Sequence, residues 1–471
     1  MTCTKFLTSL IAAVLFGMPA MAEVHGFRAN YSNANPPTEW SVNKNILWNS
    51  ILPGDGGHSH PIVLDERLYL TVEPDRLLCI DAETGKRLWE EQNGIHTILS
   101  RSELNRIMDT VLELREDAEK RRGLKEELKK AKHDKWWAGR QKKQDRVDMF
   151  QKQIDKITAQ IETLDEQLKD YDAIKPSSSE DVGFTSPTPV TDGERIYAIY
   201  GSGGIVAYTP DGERAWAKFD GPARLEGGHR ASPILAGGFL ITTFDDIVAW
   251  DAATGDEIWR TEAVPSPATP LVLPLKEGEQ IITGSGLRLT VADGTVLPGK
   301  LPASIGAPVA DGNKVYILGE KDLYAYKVPS APEAKPELLW RVGNGSRKPV
   351  LGPVLHEDIL YITDSFRGIK IKAFDAATGE LVPDKGIGLP SGREGGLAGP
   401  PAVVEGRWYI AIRGDHRSAG KIHVYQTGNV EEKLAVNTTR GPIPCAPVFV
   451  DSRIYIQSGG TLYCVKEKAT E

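Results

Sequence analysis

Pro233-Ile234-Leu235-Ala236-Gly237-Gly238-Phe239-Leu240-Ile241, followed ten residues on by Asp251-Ala252-Ala253-Thr254-Gly255-Asp256-Glu257-Ile258-Trp259, is the stretch that decides the fold. A proline opens an apolar run, a glycine pair turns it, and an isoleucine stands eight positions after the proline. The opening recurs at Pro61, Pro189, Pro233, Pro270, Pro308, Pro353, Pro401 and Pro447, with Tyr69, Tyr197, Ile241, Tyr316, Tyr361, Tyr409 and Tyr455 eight positions on. The Pro270 copy alone lacks such a partner. Turn residues separate the pairs, as in Thr191-Asp192-Gly193-Glu194 and Ala310-Asp311-Gly312-Asn313, which is the chemistry of a tight β-hairpin. The second phrase recurs as Asp81-Ala82-Glu83-Thr84-Gly85-Lys86-Arg87-Leu88-Trp89. Outside one long insertion the period is 37 to 48 residues, the length of one four-stranded blade. Eight copies predict an all-β chain: an eight-bladed β-propeller of four-stranded antiparallel blades.

Each copy reads as strand, turn, strand with tyrosine, loop, strand ending in aspartate, Thr-Gly turn, strand ending in tryptophan. Proline cannot donate to a sheet ladder, so it belongs on an edge strand, and the innermost strand of a blade is such an edge. Trp48, Trp89, Trp216, Trp259 and Trp340 fall on outer strands, where a side chain of this size can wedge between neighbouring blades. The copy opened by Pro447 runs out after three strands, at Cys464-Val465. Asn45-Ile46-Leu47-Trp48-Asn49-Ser50 is expected to supply its outer strand and close the ring.

Residues 1–22 read as a cleavable export signal: Lys5, an apolar run from Phe6 to Met18, then Ala20-Met21-Ala22. No cysteine follows the cleavage point to carry a lipid, so the expected location is the periplasm or the exterior, with no membrane span after cleavage. The remaining divisions are 23–99 for the closing strand and blade one, 100–172 for the insertion and 173–471 for blades two to eight. Cys79, Cys445 and Cys464 then remain, spaced too widely in the expected sheets to bridge, and are expected as buried free thiols. A net charge of −8 argues against nucleic acid as a partner.

From about Ser100 to Asp172 the period breaks. Val147, Phe150, Ile154, Ile157, Ile161, Leu164, Leu168 and Tyr171 are spaced three, four, three, four, and Leu104, Ile107, Val111, Leu114 and Ala118 precede them. The earlier series weakens through Arg121 and Lys125 before Leu128. Two helices of about 30 residues joined at Asp134–Arg140 would form an antiparallel coiled-coil hairpin about 45 Å long. Lys120 to Arg146 carries twelve Lys or Arg against four Asp or Glu, with Trp136-Trp137 at the tip between Lys135 and Arg140. Two readings stand: the tryptophans cap a solvated helix pair, or the tip is a basic aromatic probe for an envelope protein or an anionic surface.

The loops that lead into inner strands on one face hold His58 and His60; Arg224, Glu226, His229 and Arg230; Arg347 and Lys348; Arg393 and Glu394; and Arg440. Converging at the channel mouth, these would form a mostly positive funnel for an anionic group; the plainer reading is that loops are polar because they are wet. His58-Ser59-His60 has ligand-like residue types without a third partner, so no metal site is assigned. No nucleophile elbow, phosphate loop or paired carboxylates stand out, and no catalytic residue is assigned.

Gly26-Phe27-Arg28, Pro37-Thr38-Glu39-Trp40, Ile46-Leu47-Trp48 and Leu52-Pro53-Gly54, with the repeated Asp-x-x-Thr-Gly-x-x-x-Trp phrase, resemble exported pyrroloquinoline-quinone-like (PQQ-like, quinoprotein alcohol dehydrogenase-like) repeat propellers. The ring is similar to that of the outer-membrane assembly lipoprotein. The resemblance covers nearly all of the chain outside the hairpin. It implies the fold, and it implies either of two function classes, because the superfamily includes quinone-dependent dehydrogenases and cofactor-free propellers. The dehydrogenases carry a vicinal disulfide over the quinone and bind calcium through a Glu, an Asn and an Asp; no two cysteines are adjacent here. The expectation is therefore a non-catalytic exported propeller, without cofactor, that binds or scaffolds at the cell envelope. The alternatives are a PQQ- and calcium-dependent oxidoreductase and a carbohydrate-binding propeller.

Overall fold

Neighbouring strands pair antiparallel, with register shifts in several blades, in a computed structural model of the chain, which describes residues 34–41, 44–54, 56–172, 182–225, 227–346, 349–365, 368–383, 386–389, 396–414, 418–427 and 433–467. These residues form eight antiparallel sheets, seven of four strands and one of three. This is the eight-bladed propeller with a helical insertion.

The eight-residue spacing of the sequence is a hairpin register. In the first blade Ile62 pairs with Tyr69 and Leu64 with Arg67, leaving a two-residue turn at Asp65-Glu66. Both turn residues take positive φ, 47° and 59°, which matches the right-handed twist of the arms. The residue after the proline faces the tyrosine again at Val190–Tyr197, Val309–Tyr316 and Val448–Tyr455. The fourth blade departs from this because its hairpin is longer. There Leu271 pairs with Ile282 and the turn comes after Leu275, so the partner stands twelve residues after Pro270.

In the blades of Tyr69, Tyr197, Tyr316 and Tyr455 the tyrosine faces a small residue on the third strand, and that residue faces a tryptophan on the fourth. Tyr197 faces Ala207 and Ala207 faces Trp216; Tyr455 faces Cys464 and Cys464 faces Trp48. The tryptophan leaves its own sheet to lie on the glycine turn between the third and fourth strands of the next blade, which reads Asp-x-x-Thr-Gly at Gly85, Gly255 and Gly379. Trp48, Trp216, Trp259 and Trp340 donate their indole N–H to the carbonyls of Ala82, Ala252, Val291 and Ala376, at 2.9–3.1 Å. Trp89 does the same to Pro210 at 3.0 Å. The turn is held by its aspartate: Asp251 Oδ1 accepts from Ala253 N at 2.9 Å and Thr254 N at 2.8 Å. Its glycine is required twice over. Gly255 has φ +74°, and a Cβ there would lie 2.6 Å from the Trp216 ring.

The ring closes between its ends. Ile46–Ile51 is the outer strand of the eighth sheet, paired with Thr461–Lys466. Where a tryptophan is missing, something else fills the seam. In blade four the outer strand shrinks to one bridge, Leu289–Val296. The buried Arg288 stands in, donating to Gln280 Oε1, Pro298 O and Ala334 O at 2.9, 2.7 and 3.0 Å. Gln280 in turn donates to Pro329 O at 3.2 Å, so the pair ties blade four to the loop of blade five. Beside blade seven the segment before the closing strand does the work: Trp40 is buried, and its backbone N–H donates to Asn437 Oδ1 at 2.8 Å. Cys79, Cys445 and Cys464 are buried free thiols.

The insertion consists of α1 (Ile95–Ile98), α2 (Arg101–Arg140), α3 (Gln144–Gln167) and α4 (Lys169–Asp172). A Ser100–Glu103 capping box starts α2. The expected joint at Asp134–Arg140 is helical, and the turn falls at Gln141–Lys143, where Lys142 takes φ +56°. Trp136, Trp137 and Ala138 have no reason to leave the helix, and one glycine at 139 weakens it by only about 1 kcal/mol. With 40 residues, α2 is therefore about 60 Å long, longer than the 45 Å expected from sequence. The weak stretch of its apolar series is also resolved differently. Leu124 rather than Lys125 packs against Leu164, Leu168 and Tyr171. Arg121 stays in the seam because Asp165 and Asp172 neutralise it, at 3.0 and 2.5 Å. Among the described residues no helix is long and apolar enough to cross a membrane.

Candidate functional site

The residue directly before each repeat proline sits where the inner strands converge, and on half of the ring it builds a belt. His60 N donates to Thr188 Oγ1 at 3.3 Å, Thr188 N to Ser232 Oγ at 2.9 Å, and Ser232 N to Thr269 Oγ1 at 3.0 Å. Each blade from one to three thus hands an amide proton to a hydroxyl on the next. The equivalent residues of blades five to eight are Ala307, Gly352, Pro400 and Ala446, which have no hydroxyl. There the backbones abut instead; a Cβ on Gly352 would lie 2.3 Å from the carbonyl oxygen of Ala307. The belt escaped the sequence reading, although its signal was available as the residue type preceding each proline.

The residues expected at the channel mouth have separate fates. His60 is part of the belt, its Nδ1 lying 3.1 Å from Thr188 Oγ1, and burial pushes its imidazole down to about 4. His58 is partly buried one turn earlier, its backbone N–H directed at Thr185 Oγ1. His229 is fully buried with its ring 4.9 Å from that of Phe244, and burial pushes it down to about 4, with Asp245 opposing. Arg224 pairs with the same Asp245 from the neighbouring loop. Arg230 is exposed. Arg440 is exposed at the edge of a small cleft between Trp40, Ile456 and Tyr463, between blades seven and eight. Glu226, Arg347, Lys348, Arg393 and Glu394 lie outside the described residues, as do residues 1–33 with the expected export signal. Arg224 and His229 share Asp245; His60 is held on a different seam.

Quinone and calcium find no fitting set among the described residues. Cys79 and Cys464 are on strands of different blades and Cys445 lies in a loop, donating to Ser59 O at 3.3 Å, and burial pushes its thiol up to about 12. No three His, Cys, Asp or Glu side chains gather to hold a metal ion among the described residues. Glu73 accepts from Phe184 N, Thr185 N and Thr185 Oγ1 at 2.9, 2.9 and 2.5 Å. It pins the chain where it re-enters the ring after the insertion. The departing side is pinned by the buried Asn93, which bonds the hydroxyls of Tyr200 and Tyr208 at 3.1 and 2.7 Å.

The hairpin tip presents its side chains differently. Trp136 and Trp137 are 53% and 47% exposed, stacked edge-on with centroids 5.1 Å apart. Arg140 lies over the Trp136 ring at 5.1 Å, and the His133 ring is 6.4 Å from it. Lys135 donates to Gln151 across the pair. Trp136 also lines an open groove with Lys132, Val147 and Ile154, so it covers part of the helix seam while half of it faces water.

A family model described as outer membrane protein assembly factor BamB matches residues 171–261 and 201–470. No curated protein matches the chain. Among solved structures, BamB from Moraxella catarrhalis aligns at 17% identity over 61% of this chain and 84% of its own, with a TM-score of 0.47. The computationally designed Ika8 protein aligns at 10% identity over 90% and 99%, with a TM-score of 0.50. Quinohemoprotein alcohol dehydrogenase ADHIIG from Pseudomonas putida HK5 aligns at 12% identity over 93% and 79%, with a TM-score of 0.51. The last two likenesses are of fold alone. The family match takes in blades two to eight and well over half of the residues, and by it the chain belongs to the PQQ-like β-propeller family of that model.

Proposed function

We propose that the chain is a non-catalytic, cofactor-free PQQ-like propeller, exported to the cell envelope, where it binds and scaffolds through its ring face and its coiled-coil arm. The observation that carries this reading is the contrast between the two candidate surfaces. At the ring mouth His229 is fully buried, His60 is partly buried and held against Thr188 on its seam, and Arg224 is paired with Asp245. The arm, by contrast, holds two large aromatic side chains half in water on a rod about 60 Å long. A rod of that length gives a soluble dehydrogenase nothing, whereas an assembly module uses it to reach. The family description as an assembly factor supports the same reading. The test is a titration of purified protein with pyrroloquinoline quinone and calcium, read by absorbance and by dye-linked alcohol oxidation. The expected result is neither saturable binding nor turnover; turnover would make the chain an oxidoreductase.

A further inference from the structure

Charge is sorted along the arm. The distal part, Lys120 to Lys156, carries fourteen Lys or Arg against six Asp or Glu. The proximal parts, 100–119 and 157–172, carry four against eleven. A solvated helix pair has no need of such sorting, because intermixed i,i+4 pairs stabilise helices better than like charges placed together. The apolar exposure is sorted too. Trp136, Trp137 and Met149, all about half exposed, lie within two turns of the Gln141–Lys143 loop. Tryptophan beside lysine and arginine is the side-chain pairing of a headgroup interface, where the indole sits among the headgroups and the cations meet phosphate. The groove beside Trp136 is open and rimmed by Lys132, Lys135 and Arg140.

We infer that the distal end of the arm is an anchor for an anionic phospholipid surface, entered by Trp136 and Trp137 and held by the basic residues around the loop. The acidic root of the arm is repelled by the same surface, so the arm meets it end-on and holds the ring away from it. The inference rests on the envelope reading above and names the partner of one of its two surfaces.

The test is co-sedimentation of the full chain with vesicles of phosphatidylcholine alone and of phosphatidylcholine mixed with phosphatidylglycerol, at low and high salt. Binding is expected only to the anionic vesicles, falling at least tenfold at high salt as the Debye length shrinks. Lys142→Glu/Lys143→Glu/Arg146→Glu changes only exposed positions and is expected to abolish binding. Trp136→Ala/Trp137→Ala is expected to weaken it about tenfold, with an unchanged melting curve in both variants. No binding of the intact chain at low salt, or equal binding by both variants, would overturn the anchor. Turnover with the quinone would overturn the scaffold reading whatever the vesicles show, and a scaffold without vesicle binding would leave only the anchor refuted.

Discussion

Gly255 and Trp216 stand on neighbouring blades 39 residues apart, and the structure makes them depend on each other. An alanine at 255 would meet the Trp216 ring at 2.6 and 2.7 Å and would have to keep φ +74°. The left-handed backbone costs about 1–2 kcal/mol without glycine, and forcing an indole out of a packed seam costs about 1–3 kcal/mol more. Gly255→Ala should therefore destabilise by roughly 2–5 kcal/mol. Trp216→Ala removes a side chain that is 8% exposed and donates to Ala252 O at 3.0 Å; buried tryptophans replaced by alanine cost about 3–5 kcal/mol. In the Trp216→Ala background the ring is gone, and Gly255→Ala keeps only its backbone cost of about 1–2 kcal/mol. The two substitutions should thus couple by about 1–3 kcal/mol, read as urea midpoints of the four proteins in a double-mutant cycle. Additive effects would refute the claim that this glycine is dictated by the tryptophan of the preceding blade.

Three further outcomes follow from the same geometry. His60 and His229 titrate near 4 when folded and near 6.5 when unfolded, so the unfolded chain binds more protons between those values. Their contribution to stability is present above about 6.5 and is lost as pH falls toward about 4. His60→Asn/His229→Gln should flatten that acid limb of the urea midpoint, and parallel curves for the two proteins would refute the assignment. Arg288→Ala leaves the buried Gln280 Oε1 and the part-buried carbonyls of Pro298 and Ala334 without this donor and should cost about 1–3 kcal/mol. Arg288→Lys should recover only part of it, since an ammonium cannot reproduce the fork; full recovery in thermal melts would contradict this. Replacing Arg101–Tyr171 by a short Gly-Ser bridge should leave the ring's thermal transition in place, because Asn93 and Glu73 pin both ends of the gap from within the ring.

The sequence by itself determined the blade count, the closing strand, the free thiols and the position of the hairpin. The blade count and the hairpin rest on local periodicity and on pairings set by short turns, and the closing strand on counting the strands that the last copy lacks. The eight-residue Pro–Tyr spacing is a two-residue hairpin written in one dimension, and the Asp-x-x-Thr-Gly phrase is a turn that carries its own aspartate cap. What only the tertiary structure decided lies between blades, where residues far apart in sequence meet. The tryptophan donates to a carbonyl of the next blade, and Arg288 and Trp40 fill seams that lack one. The expected funnel residues depended on the same long-range placement. Loop composition shows polarity but not direction: burial took His229 into its seam, Thr188 holds His60, and Asp245 took Arg224. The helix turn moved because residues 134–140 have ordinary helix propensity, and nothing local stops α2 before the loop at 141–143. Arg121 stayed in the seam because Asp165 and Asp172, more than forty residues away, arrive there with opposite charge.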